Sequence, residues 1–150
     1  MSSVPIYIFR VSLDNDNFTI YRDIAVLPNQ SLSIFLQGIL ASYNFDDCFE
    51  AEFYKCDGAG KLLNAFDLKK PILLNDCIDC PHQEFRLLYK GIKSFLFKII
   101  LLKISSGSLN NYPVCIQKEG TGPAQYDPEK TEDLSHLTPK QLLEIKASFR

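Results

Sequence analysis

The sequence contains two histidines, no tryptophan and no marked excess of charge of either sign. His82 and His136 are too few for a His-based catalytic cluster, and no local motif joins either of them to a serine and an acid. The net charge of −2 and the pI near 5.7 do not predict a nucleic-acid-binding protein, which normally presents a basic face. These absences favour a protein that is not an enzyme.

Long hydrophobic runs are also missing. The longest, SFLFKIILLKI (94–104), is interrupted by Lys98 and Lys103 and is far shorter than the about 20 residues that a membrane span needs. The N-terminal stretch MSSVPIYIFR has no basic region followed by an apolar core, so we expect neither secretion nor a membrane partner. An odd number of cysteines, five, fits reduced thiols, and we expect a cytoplasmic protein.

The length and the pattern of the chain predict one domain. A chain of 150 residues can bury roughly 70% of its unfolded surface, which is enough for a sizeable core. We predict a single domain over 1–150, with a core at about 5–105, a strap at about 110–130 and a terminal helix at about 138–149.

The first half of the chain predicts a hairpin followed by a helix. IYIFRVSL (6–13) and FTIYRDIAV (18–26) alternate as half-buried strands. In the first strand we expect Tyr7, Phe9, Val11 and Leu13 to face the core and the alternate set, which begins with Ile6 and Ile8, to face outward. In SLSIFLQGILASYNF (31–45) the apolar residues recur at helical spacing, and Asn29 or Ser31 is the expected N-cap. Gly38 either lets a strand approach the helix closely or is simply tolerated there.

The second half predicts three more strands, at 48–56, 84–91 and 94–105, with an irregular segment between the first two that contains one helical turn near 74–80. A short terminal helix follows, with Thr138 as its cap and Pro139 at its first position. This order predicts an α+β fold: a ubiquitin-like β-grasp with a mixed sheet and one packed helix, or a related roll.

Cys77 and Cys80 have the spacing of a metal or redox pair. A structural zinc site needs four ligands, and the remaining candidates, His82, Cys56 and Cys115, are scattered along the sequence. The strand that precedes a thioredoxin-type motif is also missing. We favour a chance spacing, predict no cofactor and keep Cys77 and Cys80 as the candidate metal ligands, with a redox pair as the other alternative.

Acidic residues occur close together around the predicted third strand. Glu50 and Glu52 fall on the same face of it, which is typical of a solvated strand face rather than of an acid and base pair. Asp46 and Asp47 lie just before them, where polar residues that end a helix are a simpler explanation than a divalent cation site. We predict no catalytic residue.

The segment NNYPVCIQKEGTGPAQYDPEK (110–130) is rich in turn formers but contains a short apolar alternation, Tyr112, Val114 and Ile116. Pro113 lacks an amide donor and is therefore compatible with an edge strand. The segment favours a strap that lies across a sheet edge or over the helix, with a flexible linker and a ligand loop as alternatives.

Three segments resemble the plasmid pRiA4b ORF-3-like family in their order along the chain: YIFRVSLDNDNFTIYRDIAV, SLSIFLQGILASYNFDD and YPVCIQKEGTGPAQY. The resemblance covers the chain up to about residue 130 and implies a protein of unknown function associated with plasmids and mobile elements. Phe95 stands near the usual Trp of the family, Leu36-Gln37 replaces a Leu-His pair, and Cys115 lacks its usual companions. No site residue is therefore carried over, and a resolvase-like activity lacks both a nucleophile and a basic surface.

The leading hypothesis is a non-catalytic interaction or adaptor domain that binds another protein through an exposed sheet face or edge. The aromatic residues expected to face outward are Tyr7, Tyr21 and Tyr54. The alternative is a mobile-element accessory protein that contacts nucleic acid, which requires four basic residues to share one face: Arg10, Arg22, Lys98 and Lys103. A metal-binding protein is the third hypothesis, and the oligomeric state stays open.

Overall fold

The computed structural model describes residues 4–14, 20–46, 49–90, 94–107 and 111–121. The described residues form seven strands, one α-helix and one short 3-10 helix. Their bounds are β1 Val4–Leu13, β2 Tyr21–Val26, α1 Leu32–Ser42, β3 Glu50–Cys56, β4 Leu62–Ala65, the 3-10 helix Leu74–Cys77, β5 Glu84–Lys90, β6 Ser94–Gly107 and β7 Val114–Glu119.

All seven strands belong to one sheet in the order β4-β3-β5-β6-β1-β2-β7, and every neighbouring pair is antiparallel. The chain crosses from β2 through α1 to the far side of the sheet, where β3 pairs with β5. The interior strand β1 pairs with β2 on one side and with β6, the middle strand of the seven, on the other. Strands β4 and β7 are the two edges.

The predicted β-grasp with a mixed sheet is wrong. A mixed sheet needs at least one parallel pair of strands, and the described residues contain none. The deciding pair is β1–β6: β6 runs antiparallel to β1, because β3, β5 and β6 lie side by side in antiparallel order before the sheet reaches β1. Two edge strands were also not predicted as strands. Residues 62–65, expected to be irregular, form β4 beside β3, and residues 114–119 of the strap form β7 beside β2. One helix on an antiparallel sheet is still consistent with the coarser α+β class.

The alternation of each strand sorts its side chains between two faces. The inner face, which α1 covers, carries the main core, and its β1 residues are those predicted: Tyr7, Phe9, Val11 and Leu13. Aromatic rings fill the centre of this core, where the ring of Phe9 lies 4.8 Å from that of Phe35 in α1. Tyr7 therefore does not face outward as predicted, and its hydroxyl donates to Asn75 Oδ1 at 2.8 Å.

Helix α1 forms as its apolar spacing predicts. Ser31 is the N-cap, because its Oγ accepts a hydrogen bond from the amide of Ile34 at 3.2 Å. The apolar stripe on the helix is buried against the sheet: Leu32, Phe35, Leu36, Ile39 and Leu40. The predicted helical turn near 74–80 is confirmed by the 3-10 helix at Leu74–Cys77, whereas the predicted terminal helix at 138–149 lies outside the described residues.

A second, smaller cluster lies on the outer face, opposite α1. It contains Ile6, Ile8 and Ala25, with Leu102 and Tyr112 packed against it. Ile6 and Ile8 have the alternation of outward-facing residues, so their burial was not predicted. They are buried because apolar side chains from the neighbouring strands and from the strap cover them.

Candidate interaction surfaces at the sheet edges

The strap contacts both faces of the sheet. On the inner side the ring of Pro113 packs on α1 at Gly38, where an added Cβ would lie 2.5 Å from Pro113 Cγ. On the outer side the ring of Tyr112 packs against the second cluster. Gln30 fixes the crossing point, because its Nε2 donates to Tyr112 O at 2.7 Å. Residues 111–113 therefore link helix, sheet edge and outer cluster.

Beyond Pro113 the strap becomes β7, all of whose residues are exposed. β7 pairs with β2 on one side, and no strand in the described part of the chain pairs with its other side. Val114 and Ile116 are 41% and 53% exposed, so the edge combines open backbone groups with apolar side chains. Such an edge is a template for the addition of another strand.

Arg22 connects the far end of β7 to α1. Its guanidinium is buried and donates to three carbonyl oxygens: Nε to Ser42 O at 3.1 Å, and Nη1 to Tyr21 O at 2.8 Å and Glu119 O at 3.1 Å. It also lies over the ring of Tyr43, 4.6 Å from the centroid. Ser42 is the last residue of α1, so the charge of Arg22 also stabilises the negative end of the helix dipole.

The outer face carries the other predicted aromatic contacts. One row of side chains crosses five successive strands in register: Tyr54, Arg86, Lys98, Ser12 and Tyr21. The ring of Tyr21 lies 4.0 Å from the guanidinium carbon of Arg10, and the hydroxyl of Tyr54 donates to Glu52. Both tyrosines are half-buried members of a polar face.

The structure does not gather the four basic residues that nucleic-acid binding would require. Arg10, Lys98 and Lys103 point to the outer face, whereas Arg22 is buried on the inner side. Arg10 is also neutralised, because its Nε and Nη2 each donate to Asp23 at 2.9 Å.

The predicted cysteine pair is not arranged as a metal site. Cys77 is buried and its thiol donates to Leu73 O at 3.4 Å, whereas the thiol of Cys80 points to Gln83 Oε1 at 3.7 Å. Burial raises the pKa of Cys77 to about 11, so its reactive thiolate form is scarce at neutral pH. Over the described ranges, no three His, Cys, Asp or Glu side chains lie together as metal ligands.

The remaining candidates lie apart from one another. Cys56 is buried at the end of β3, Cys115 is exposed on β7 near the opposite edge, and both are free thiols. His82 sits in a turn with φ of 56°, and its Nδ1 lies 3.1 Å from Leu101 O. The main-chain oxygen of Asp46 accepts a hydrogen bond from the Tyr89 hydroxyl. Asp47 and His136 lie outside the described residues.

Glu50 and Glu52 lie on the outer face of β3, near the other edge of the sheet. Glu52 forms an ion pair with Lys90 of β5, and Glu50 lies opposite Lys90 in the strand register. Hydrogen bonds from Lys90 and from Tyr54 lower the pKa of Glu52. The two carboxylates share one lysine and are not paired with each other, as expected for a solvated strand face.

Some of these residues could be recognised from the sequence, and others could not. Gly38 inside an apolar helix pointed to a close approach, and the strap supplies it. Arg22 and Gln30 carried no recognisable motif, because their partners are main-chain oxygens. α1 has 11 residues, and no helix in the described segments is long and apolar enough to span a bilayer.

The residues that the structure describes thus form a single antiparallel sheet covered by one α-helix, with a strap at one edge. No protein-family model matches the sequence, and no curated protein matches it either. The chain is similar to the crystal structure of MM3350, a protein of unknown function from Methanosarcina mazei Go1, with a TM-score of 0.68 and 20% sequence identity. The match covers 89% of this chain and 83% of that chain. At this identity the likeness shows the fold alone.

Proposed function

We propose that the chain is a non-catalytic interaction domain that binds an extended segment of another protein along the open side of β7. The observation that carries the proposal is a strand edge that pairs with no other described strand, combined with two exposed apolar side chains, Val114 and Ile116. In such binding, main-chain hydrogen bonds supply the affinity and alternate side chains supply the specificity.

The surroundings of β7 suit this role. Pro113 and Arg22 hold the strand at its two ends, so it is ordered before a partner arrives. A pre-ordered strand lowers the entropic cost of binding. The charges on the strand are mixed, Lys118 and Glu119, which does not select for a polyanion.

The proposed setting follows from the cysteines and from the resemblance. All four cysteines within the described segments are free thiols, which supports a reducing compartment such as the cytoplasm. The segments that resemble the pRiA4b ORF-3-like family form β1, β2, α1 and β7, which are contiguous in the structure. This contiguity supports kinship with that family, whose members share no settled activity.

The test is a peptide array of extended hexapeptides with apolar residues at alternate positions. Peptides that bind the wild-type chain should lose affinity for Ile116→Pro. Ile116 lies at a register shift between β7 and β2, so proline there blocks an added strand but spares the paired residues. Leu62→Lys on β4 is the matched control and should bind as the wild type does. Equal binding by Ile116→Pro, with its fold intact, would overturn the proposal.

A further inference from the structure

The other side of the sheet also has an open segment, within β3. β3 has seven residues, but β4 pairs with it only at Tyr54 and Cys56. Towards the start of β3, the hydrogen bonding with the β4 segment ends at the bond from the amide of Phe66 to Phe53 O, at 2.8 Å. The first half of β3 therefore has β5 on one side and, among the described residues, no strand on the other.

The direction of the free backbone groups follows from that last hydrogen bond. In an antiparallel strand the residues alternate between the two neighbours in their hydrogen bonding. Phe53 O points towards β4, so the amide and carbonyl of Ala51, two residues earlier, point to the same side. That side is open at Ala51, which is ready to pair with one residue of an added strand.

The inner side of this open segment is apolar. Ala51 is partly buried and has only a methyl group, and Phe49 precedes it by two residues. The ring of Phe66 lies beside Phe53, with the two centroids 6.2 Å apart. On this face the small side chain of Ala51 lies between Phe49 and Phe53 along the strand, so a partner side chain opposite Ala51 would meet an apolar surface.

The outer side of the same segment is acidic. Glu50 and Glu52 flank Ala51 and point to the opposite face, and the single cation close to them is Lys90 among the described residues. Within the described segments, one ammonium group therefore faces two carboxylates. Residues of an added strand directly opposite Glu50 and Glu52 would point to this outer face as well, where positive charge complements the surplus.

We propose that the open half of β3 binds an extended peptide segment of a partner protein in which one apolar residue lies between two lysines or arginines. The apolar residue pairs with Ala51 and packs on the apolar surface beside it. The two basic residues lie opposite Glu50 and Glu52. This site is separate from the β7 edge, and neither proposal depends on the other.

The test is fluorescence anisotropy with two labelled peptides, one with an Arg-Val-Arg centre and one with Glu-Val-Glu, each with the same neutral flanks. The basic peptide should bind the wild-type chain and the acidic one should not. Ala51→Pro removes only the outward amide, because that amide takes no part in the pairing with β5. It should weaken binding about fivefold or more, the effect of one lost hydrogen bond and a blocked edge.

Charge reversal provides the second arm. Glu50→Lys should weaken binding of the basic peptide about fivefold or more, whereas Glu119→Lys, the same change on the β7 edge, should leave it unchanged. Equal binding of both peptides, equal loss in the two charge variants, or full affinity in a folded Ala51→Pro would each overturn the proposal. If circular dichroism shows that Ala51→Pro is unfolded, the two charge variants decide the outcome.

Discussion

The ring of Pro113 occupies the position that a side chain on residue 38 of α1 would need. A Cβ on Gly38 would lie 2.5 Å from Cγ and 2.9 Å from Cβ of Pro113, well inside van der Waals contact. A helix normally gains about 1 kcal/mol from alanine in place of an interior glycine. Glycine at position 38 lacks this stabilisation, but it allows the strap to pack directly on the helix.

This contact predicts that the effect of Gly38→Ala changes sign with its neighbour. In the wild type the substitution should destabilise the fold by about 2 kcal/mol through overpacking. In a Pro113→Gly background both clashing atoms, Cγ and Cβ of Pro113, are removed, and the same substitution should be neutral or stabilising because of helix propensity. Urea denaturation of the four chains measures this coupling. Gly58→Ala is the control, since no atom lies within 4 Å of its added Cβ; equal effects of Gly38→Ala in both backgrounds would contradict the contact.

We expect that lysine cannot replace arginine at position 22 without a loss of stability. Arg22→Lys keeps the charge but cannot reach three carbonyl oxygens from one planar group, so we expect a loss of about 2 kcal/mol in unfolding free energy. Hydrogen exchange should also accelerate in β7, because the tie to Glu119 is lost. Arg86→Lys, whose partner Glu84 is a single carboxylate, is the comparison and should cost less than about 1 kcal/mol. Slower or unchanged exchange in β7 would show that Arg22 does not hold the strand.

Thiol alkylation should separate the cysteines by burial. Iodoacetamide at pH 7.5 should modify Cys115 in the native protein and leave Cys77 unmodified, since burial keeps Cys77 protonated as well as inaccessible. Peptide mapping by mass spectrometry reads both sites in one digest. In denaturant the two should react alike, and modification of native Cys77 at the rate of Cys115 would refute its burial.

The ion pair on β3 predicts a pH-dependent contribution to stability. Lys90→Ala should raise the pKa of Glu52 from its lowered value towards 4.5, its ordinary value, as followed by carbon-13 NMR titration. A lowered folded-state pKa stabilises the fold above the ordinary pKa, and that stabilisation is lost as the pH falls through the folded pKa. The wild type should therefore be more stable than Lys90→Ala at pH 6. The contribution of Glu52 to this difference in stability should disappear at acidic pH, where Glu52 is protonated. Lys61→Ala, in the turn before β4, should leave Glu52 unchanged.

How far the sequence predicts this structure depends on how local each signal is. The stripe of α1 and the alternation of β1 are complete within a dozen residues, and both were predicted correctly. β4 has only four residues, all exposed, so no apolar alternation distinguishes it from a loop. The position of β7 depends on its pairing with β2, about 90 residues earlier, and no local pattern contains that information.

The candidate surfaces follow the same rule. Glu50 and Glu52 were recognised as a solvated strand face from their spacing alone. The open edge beside Ala51 could not be seen, because it results from the early end of β4 rather than from any property of β3. Tyr7 was predicted both as a core residue and as an outward contact, and its hydrogen bond to Asn75 explains how a buried tyrosine satisfies its hydroxyl.

The placement of β1 inside the sheet, between β2 and β6, affects how the chain reaches its native state. β1 is made first, yet its long partner β6 ends at Gly107, which pairs with Val4. On the ribosome the β1–β6 pair therefore cannot be completed until the chain has been synthesised as far as Gly107. Pairing between strands so far apart in sequence slows folding. Until β6 pairs with it, the β1–β2 hairpin exposes the free edge of β1, which a chaperone can protect.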